Sequence, residues 1–167
     1  AASDVYKRQE ISSLYTLADV INAGCRDGEL DVRGVSHRGY FASITDFKSY
    51  HDANMDLIDY KTATDLFHDN WPIYTRTNNS CPTHYFDTAN VSNSVISNGS
   101  MIEGTVENSI VGRGCTIKKG AVIKNCVVLA DCTIGENVHI ENLVVDKHAK
   151  ITHAKEIISP AGEPGYI

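Results

Sequence analysis

The spacing of apolar side chains changes character along this chain. Leu14, Leu17, Ala18 and Ile21 fall at i, i+3, i+4 and i+7, the period of one helix face, and Gly24 follows as a helix-ending residue. From Leu30 to Ile44 the chain is richer in Val, Tyr and Phe, but Gly34 and Gly39 interrupt it, which predicts broken strand. Phe47, Tyr50, Asn54 and Leu57/Ile58 then mark a second helix face, with Thr45 or Asp46 placed to cap it. Pro, Asn and Thr dominate residues 70–90, and Pro72 and Pro82 oppose regular ladders, so this stretch reads as a linker. The first nine residues, AASDVYKRQ, carry neither period and read as a non-native leader.

From Val91 the pattern repeats. VSNSVI at 91, VENSIV at 106, IKNCVV at 123 and IENLVV at 140 align with steps of 15, 17 and 17 residues. At offsets 0, 5 and 11 stand Val91, Ile96 and Ile102; Val106, Val111 and Ile117; Ile123, Val128 and Ile134; Ile140, Val145 and Ile151. Two residues before these positions the side chain is usually small, as at Ser94, Gly104, Ser109, Cys115, Ala121, Cys126, Cys132 and Ala149; Val138 and Leu143 are exceptions. Asn93, Asn108, Asn125 and Asn142 hold the third place of every repeat and predict a ladder at one corner, where Asn tolerates left-handed backbone. Three short strands per turn, each pointing one branched aliphatic inward, make a three-sided coil. This is the hexapeptide pattern of the left-handed parallel β-helix, the hand being taken from that resemblance because ordinary crossovers are right-handed. Four turns would span about 19 Å at about 4.8 Å per turn. The expected fold class is mainly β, with the β-helix over 91–158, a small α/β segment over 10–69 before it, and a cap or truncated edge over 159–167.

Charge narrows the function classes. Fifteen Lys and Arg against twenty-one Asp and Glu give a net charge of −6, which offers no support for nucleic-acid binding. No apolar run approaches the roughly 20 residues of a membrane span. Five cysteines without a C-x-x-C pair argue against a disulfide framework and a zinc knuckle, and place the chain in a reducing cytoplasm. Cys115 and Cys132, 17 residues apart, should stack as buried small hydrophobes. Hexapeptide coils often belong to acyltransferases that use a His general base, which makes His139, His148 and His153 candidates; solvent-facing histidines are the competing reading, since no long loop leaves the coil to build a cleft.

Three segments carry a family resemblance: GYFASITDFKSYHDANMDLI over 39–58, PIYTR from Pro72 to Arg76, and NSxIxxGSMIEGxVENSIVGRG from Asn93 to Gly114. Together they resemble the carboxy-terminal part of glucose-1-phosphate adenylyltransferase, also called ADP-glucose pyrophosphorylase, which implies that residues 10–69 are the end of a nucleotidyltransferase domain. In catalytic members the first segment is similar to GYW-x-D-[IV]-G-T. Aligning Gly39 and Asn54 without a gap puts Ser43 at the family's metal-binding Asp, Thr45 at the motif's Gly and Asp46 at its Thr. A neutral hydroxyl cannot supply a carboxylate's charge to Mg²⁺. The departure is similar to the GlgD-type subunit, which pairs with a catalytic subunit and modulates it. The resemblance therefore implies no catalytic residue and no cofactor in this chain, with Mg²⁺ and ATP expected only for the catalytic partner. It implies hetero-oligomer assembly in glycogen biosynthesis, and an anionic sugar-phosphate effector for which Arg33, Arg38 and Arg113 are candidates. It also predicts an exposed apolar patch at Leu14, Ile21, Phe47 and Leu57, because these would pack on sequence that is not present here.

Overall fold

The computed structural model describes residues 16–68, 70, 72–74, 77 and 79–167. The predicted leader, Leu14 of the first helix face and Arg76 of the PIYTR segment lie outside the described residues. The chain divides into two units, residues 1–38 and residues 39–167.

In the first unit, helix α1 spans Leu17–Arg26. A capping box starts it: the Asp19 amide donates to Thr16 Oγ1 at 3.3 Å, and the Thr16 amide donates to Asp19 Oδ2 at 2.9 Å. Gly24, expected to end this helix, lies inside it. A Cβ there would meet Leu30 Cδ1 at 2.6 Å, so glycine serves the close return of the chain, and the left-handed turn falls to Gly28 at φ 75°. Val20 is the buried apolar residue of α1, whereas Leu17 stays 59% exposed.

No strand forms between Leu30 and Ile44. This corrects the expected broken strand: the residues have β-forming side chains but no neighbouring strand to complete a ladder. Val35 and Phe41 are left 91% and 78% exposed.

In the second unit, helix α2 spans Phe47–Met55, capped as expected by Asp46, whose Oδ1 accepts from the Ser49 amide at 2.7 Å. A 3₁₀ turn over Asp56–Ile58 leads to helix α3, Tyr60–Leu66, which the apolar spacing did not predict and which Asp59 caps.

The coil follows as three parallel sheets. The first face carries β1 (His84–Tyr85), β4 (Met101–Ile102), β7 (Thr116–Ile117), β10 (Thr133–Ile134) and β13 (Lys150–Ile151). The second carries β2 (Asn90–Ser92), β5 (Thr105–Glu107), β8 (Val122–Lys124), β11 (His139–Glu141) and β14 (Glu156–Ile158). The third carries β3 (Val95–Ile96), β6 (Ile110–Val111), β9 (Val127–Val128), β12 (Leu143–Val145) and β15 (Gly165–Tyr166). Each face thus stacks through about four intervals of about 4.8 Å. The fold is a mainly β, hexapeptide-repeat parallel β-helix preceded by a few helices.

Ten of the twelve repeat aliphatics are buried to 6% exposure or less, from Ile102 to Ile151, and Val91 and Ile96 at the first turn pack partly buried against them. Gly104, Ser109, Cys115, Ala121, Cys126 and Cys132 fill the second inward position, and the larger Val138 and Leu143 are buried with them. The asparagine ladder is present. Asn93, Asn108, Asn125 and Asn142 have φ between 42° and 55°. Asn93 Nδ2 donates to Asn108 Oδ1 at 2.8 Å, Asn108 Nδ2 to Asn125 Oδ1 at 2.7 Å, and Asn142 Nδ2 to the Ser159 carbonyl at 2.8 Å.

Strand pairing extends beyond 91–158 at both ends. His84–Tyr85 pairs with Met101–Ile102 inside the stretch expected as linker, because Pro82 precedes the strand and withdraws no ladder donor from it. Gly165–Tyr166 pairs with Leu143–Val144 inside the expected cap.

Candidate interaction face

The outward side chains of the second and third faces differ sharply. On the second face Ser92, Glu107, Lys124, Glu141 and Ile158 align, and Lys124 reaches Glu107 at 3.3 Å. On the third face the outward column is Val95, Ile110, Val127, Val144 and Tyr166. Alternation along a strand would make these positions polar if they met water. Helix α2 explains part of the pattern: it packs on β9, and Val127 and Val144 are each only 1% exposed although they point away from the axis. Burial of that kind contributes about 1.5–3 kcal/mol per side chain.

Two contacts fix α2 there. His51 is 9% exposed, and its Nε2–H donates to the backbone carbonyl of Asn125 at 3.0 Å. Phe47 meets Tyr166 edge to face, with ring centroids 5.8 Å apart. Tyr40 joins the helix end to its approach segment by donating to Asp56 Oδ2 at 3.0 Å, an acceptor that, after burial, raises the phenol above its usual pKa. The column continues past the helix: Val95 is 42% exposed and Ile110 half-buried. In the sequence this column is the fifth letter of VSNSVI, VENSIV, IKNCVV and IENLVV, always Val or Ile, a signal that marks it without the structure.

The other candidate residues lie on several elements. Arg33 pairs with Asp31 at 3.1 Å within the first unit, which also contains Arg38. Arg113 belongs to the second unit, at the corner between β6 and β7, where its carbonyl accepts from the Asp131 amide at 2.8 Å. Ser43 is exposed in irregular backbone. The nearby Asp46 carboxylate is held below its ordinary pKa by the Ser49 amide it caps, and is thereby occupied. Among the described residues no group of three His, Cys, Asp or Glu side chains could hold a metal ion.

His139 lies on β11 with Nδ1 3.4 Å from Glu156 and Nε2 3.7 Å from Glu141. His148 stands at an exposed corner with φ 63°, 3.7 Å from Asp131, and His153 is exposed at another corner. The three histidines thus occupy separate places on the coil. Cys115 and Cys132 stack on adjacent turns; their Sγ atoms donate to the Leu129 carbonyl at 3.1 Å and the Asp146 carbonyl at 2.9 Å. Cys126 is fully buried, which pushes its thiol up to about 12. No helix among the described residues is long and apolar enough to cross a membrane.

Residues 82–159 match the family model of the GlmU-like C-terminal hexapeptide. Over 128 residues the chain is 39% identical to the glycogen biosynthesis protein GlgD of Bacillus subtilis (strain 168), covering 77% of this chain and 37% of that protein. This chain is a homologue of GlgD and of glucose-1-phosphate adenylyltransferase. The glucose-1-phosphate adenylyltransferase of Geobacillus stearothermophilus is 42% identical over 86 residues, which are 52% of this chain and 22% of the relative. That of Bacillus mycoides (strain KBAB4) is 36% identical over 107 residues, 64% of this chain and 28% of the relative. The chain therefore spans between about a fifth and somewhat over a third of the length of these curated relatives.

Proposed function

We propose that this chain corresponds to the carboxy-terminal region of a GlgD-type subunit and serves subunit assembly and regulation of ADP-glucose formation in glycogen biosynthesis. The observation that carries the reading is the outward apolar column of the third face, buried at Val127, where α2 packs, and at Val144, and still open at Val95. A coil wound around a dry axis is rigid, so such a column is a fixed template for contact rather than a loop that could close on substrate. Ser43 and the occupied Asp46 support a non-catalytic role, with Mg²⁺ and ATP chemistry left to a catalytic glucose-1-phosphate adenylyltransferase partner. In this reading an anionic sugar-phosphate effector is bound with the help of Arg33, Arg38 or Arg113.

The test is to mix the purified chain with a catalytic glucose-1-phosphate adenylyltransferase subunit. Co-elution with a changed effector response is the expected result, and Val95→Asp should abolish it. Independent elution with unchanged kinetics would overturn the proposal. Substituting each arginine by alanine identifies the effector residue as the one whose loss shifts the response without breaking the complex.

A further inference from the structure

One step of the repeat is two residues short, and the shortfall shapes the surface. On four turns the inward residue of the second face comes six positions after that of the first: Tyr85 to Val91, Ile117 to Ile123, Ile134 to Ile140 and Ile151 to Ile157. From Ile102 to Val106 it comes only four positions later. The corner Glu103–Gly104 is therefore tight. Gly104 is buried, and a Cβ there would meet the Ala121 carbonyl oxygen at 2.5 Å and that of Lys118 at 2.9 Å, both backbone.

The longer corners above and below leave a recess of about 520 Å³ over this tight turn, lined by Thr88, Glu103, Lys119, Gly120, Glu136 and Asn137. Its walls are fixed. Thr88 Oγ1 donates to the Glu103 carbonyl at 2.7 Å, and Gly120 at φ 73° leaves room for the Asn137 amide oxygen, which a Cβ would approach to 2.2 Å. Its charged groups are uncommitted: among the described residues Glu103, Lys119 and Glu136 form no ion pair.

We propose that this recess is a binding site for a neutral polyhydroxylated ligand, a short saccharide. Glu103, Lys119 and Glu136 come from three successive turns, so acceptor, donor and acceptor succeed one another along the axis, Lys119 in register with Glu136 and Glu103 offset by one place, beside Lys118. Two carboxylates oppose a phosphate, and the ammonium between them opposes a compact cation. Hydroxyls spaced along a pyranose can satisfy all three groups with no ligand charge to desolvate. The Asn137 amide adds one further donor and acceptor. This inference is independent of the assembly reading, because it concerns a different corner of the coil.

The experiment is an amide-resolved NMR titration of the full chain with maltotriose, in parallel with glucose 1-phosphate and spermidine. Maltotriose should shift the amides of Thr88, Gly120 and Asn137, with a Kd on the order of 1 mM, as expected for an open site with few anchors. Glucose 1-phosphate and spermidine should bind more weakly. Combining Glu103→Gln with Glu136→Gln, which keeps shape, should weaken maltotriose binding about tenfold. Undisturbed amides of the buried turns report that this variant is folded. No shift at these three residues, tighter binding of either charged probe, or unchanged affinity in the folded variant would each overturn the proposal.

Discussion

His51 on α2 donates its Nε2–H to the carbonyl of Asn125, 74 residues later at the ladder corner of the coil. The carbonyl belongs to a residue held at φ 48°, so the ladder geometry sets where the helix can dock. The same ring lies 3.5 Å from Asp52 Oδ1 through Nδ1.

Replacing His51 by alanine should release α2 from the third face. Loss of a buried hydrogen bond and a packed ring costs about 1–3 kcal/mol. Hydrogen exchange should accelerate over 47–55 and at the amides near Val127 and Val144, while the amides of the first face keep their protection. Equal acceleration throughout would show that helix and coil unfold as one body.

The ladder separates two contributions at one site. Asn108 accepts from Asn93, donates to Asn125 and sits at φ 45°. Asn108→Ala should cost about 2–4 kcal/mol, combining the two ladder hydrogen bonds with the left-handed backbone penalty. Asn108→Gly keeps the backbone relaxed and should cost about 1 kcal/mol less. Denaturant midpoints of the two variants measure the difference.

Core and surface positions one residue apart should respond differently. Ile123 is fully buried on the axis, whereas Val122 points outward on the same strand and is half-buried. Ile123→Ala should destabilise by about 2–5 kcal/mol, and Val122→Ala by less than about 1.5 kcal/mol.

Acid should loosen α2 before the coil. Asp46 is held below its ordinary pKa chiefly by the Ser49 amide, so its capping contribution is complete above the unfolded value of about 3.9 and is lost as pH falls through the lower folded value. Asp46→Asn keeps a capping oxygen without the charge and should remove this titration. Helix content followed by circular dichroism between pH 5 and pH 2 is the check.

The axis was legible because every turn repeats one demand, a branched aliphatic in the same three places, and independent copies of a signal reinforce one another. Ile102, Ile117, Ile134 and Ile151 occupy one column as the spacing required. What the sequence concealed depended on long-range partners. The β-forming residues from Leu30 to Ile44 make no strand because a strand is a property of a pair, and Val95, Ile110, Val127 and Val144 gain meaning only once α2 is seen packing on β9. His51 gave no local sign of its role, since a histidine on a short polar helix is ordinary until its acceptor is found.

The most direct test of the account is hydrogen exchange of the chain alone and mixed with a catalytic glucose-1-phosphate adenylyltransferase subunit, read strand by strand. The predicted footprint is protection concentrated at Val95–Ile96 and Ile110–Val111 on the third face, with the second face unchanged. Protection confined to the second face, or an exchange pattern identical with and without the partner, would contradict it.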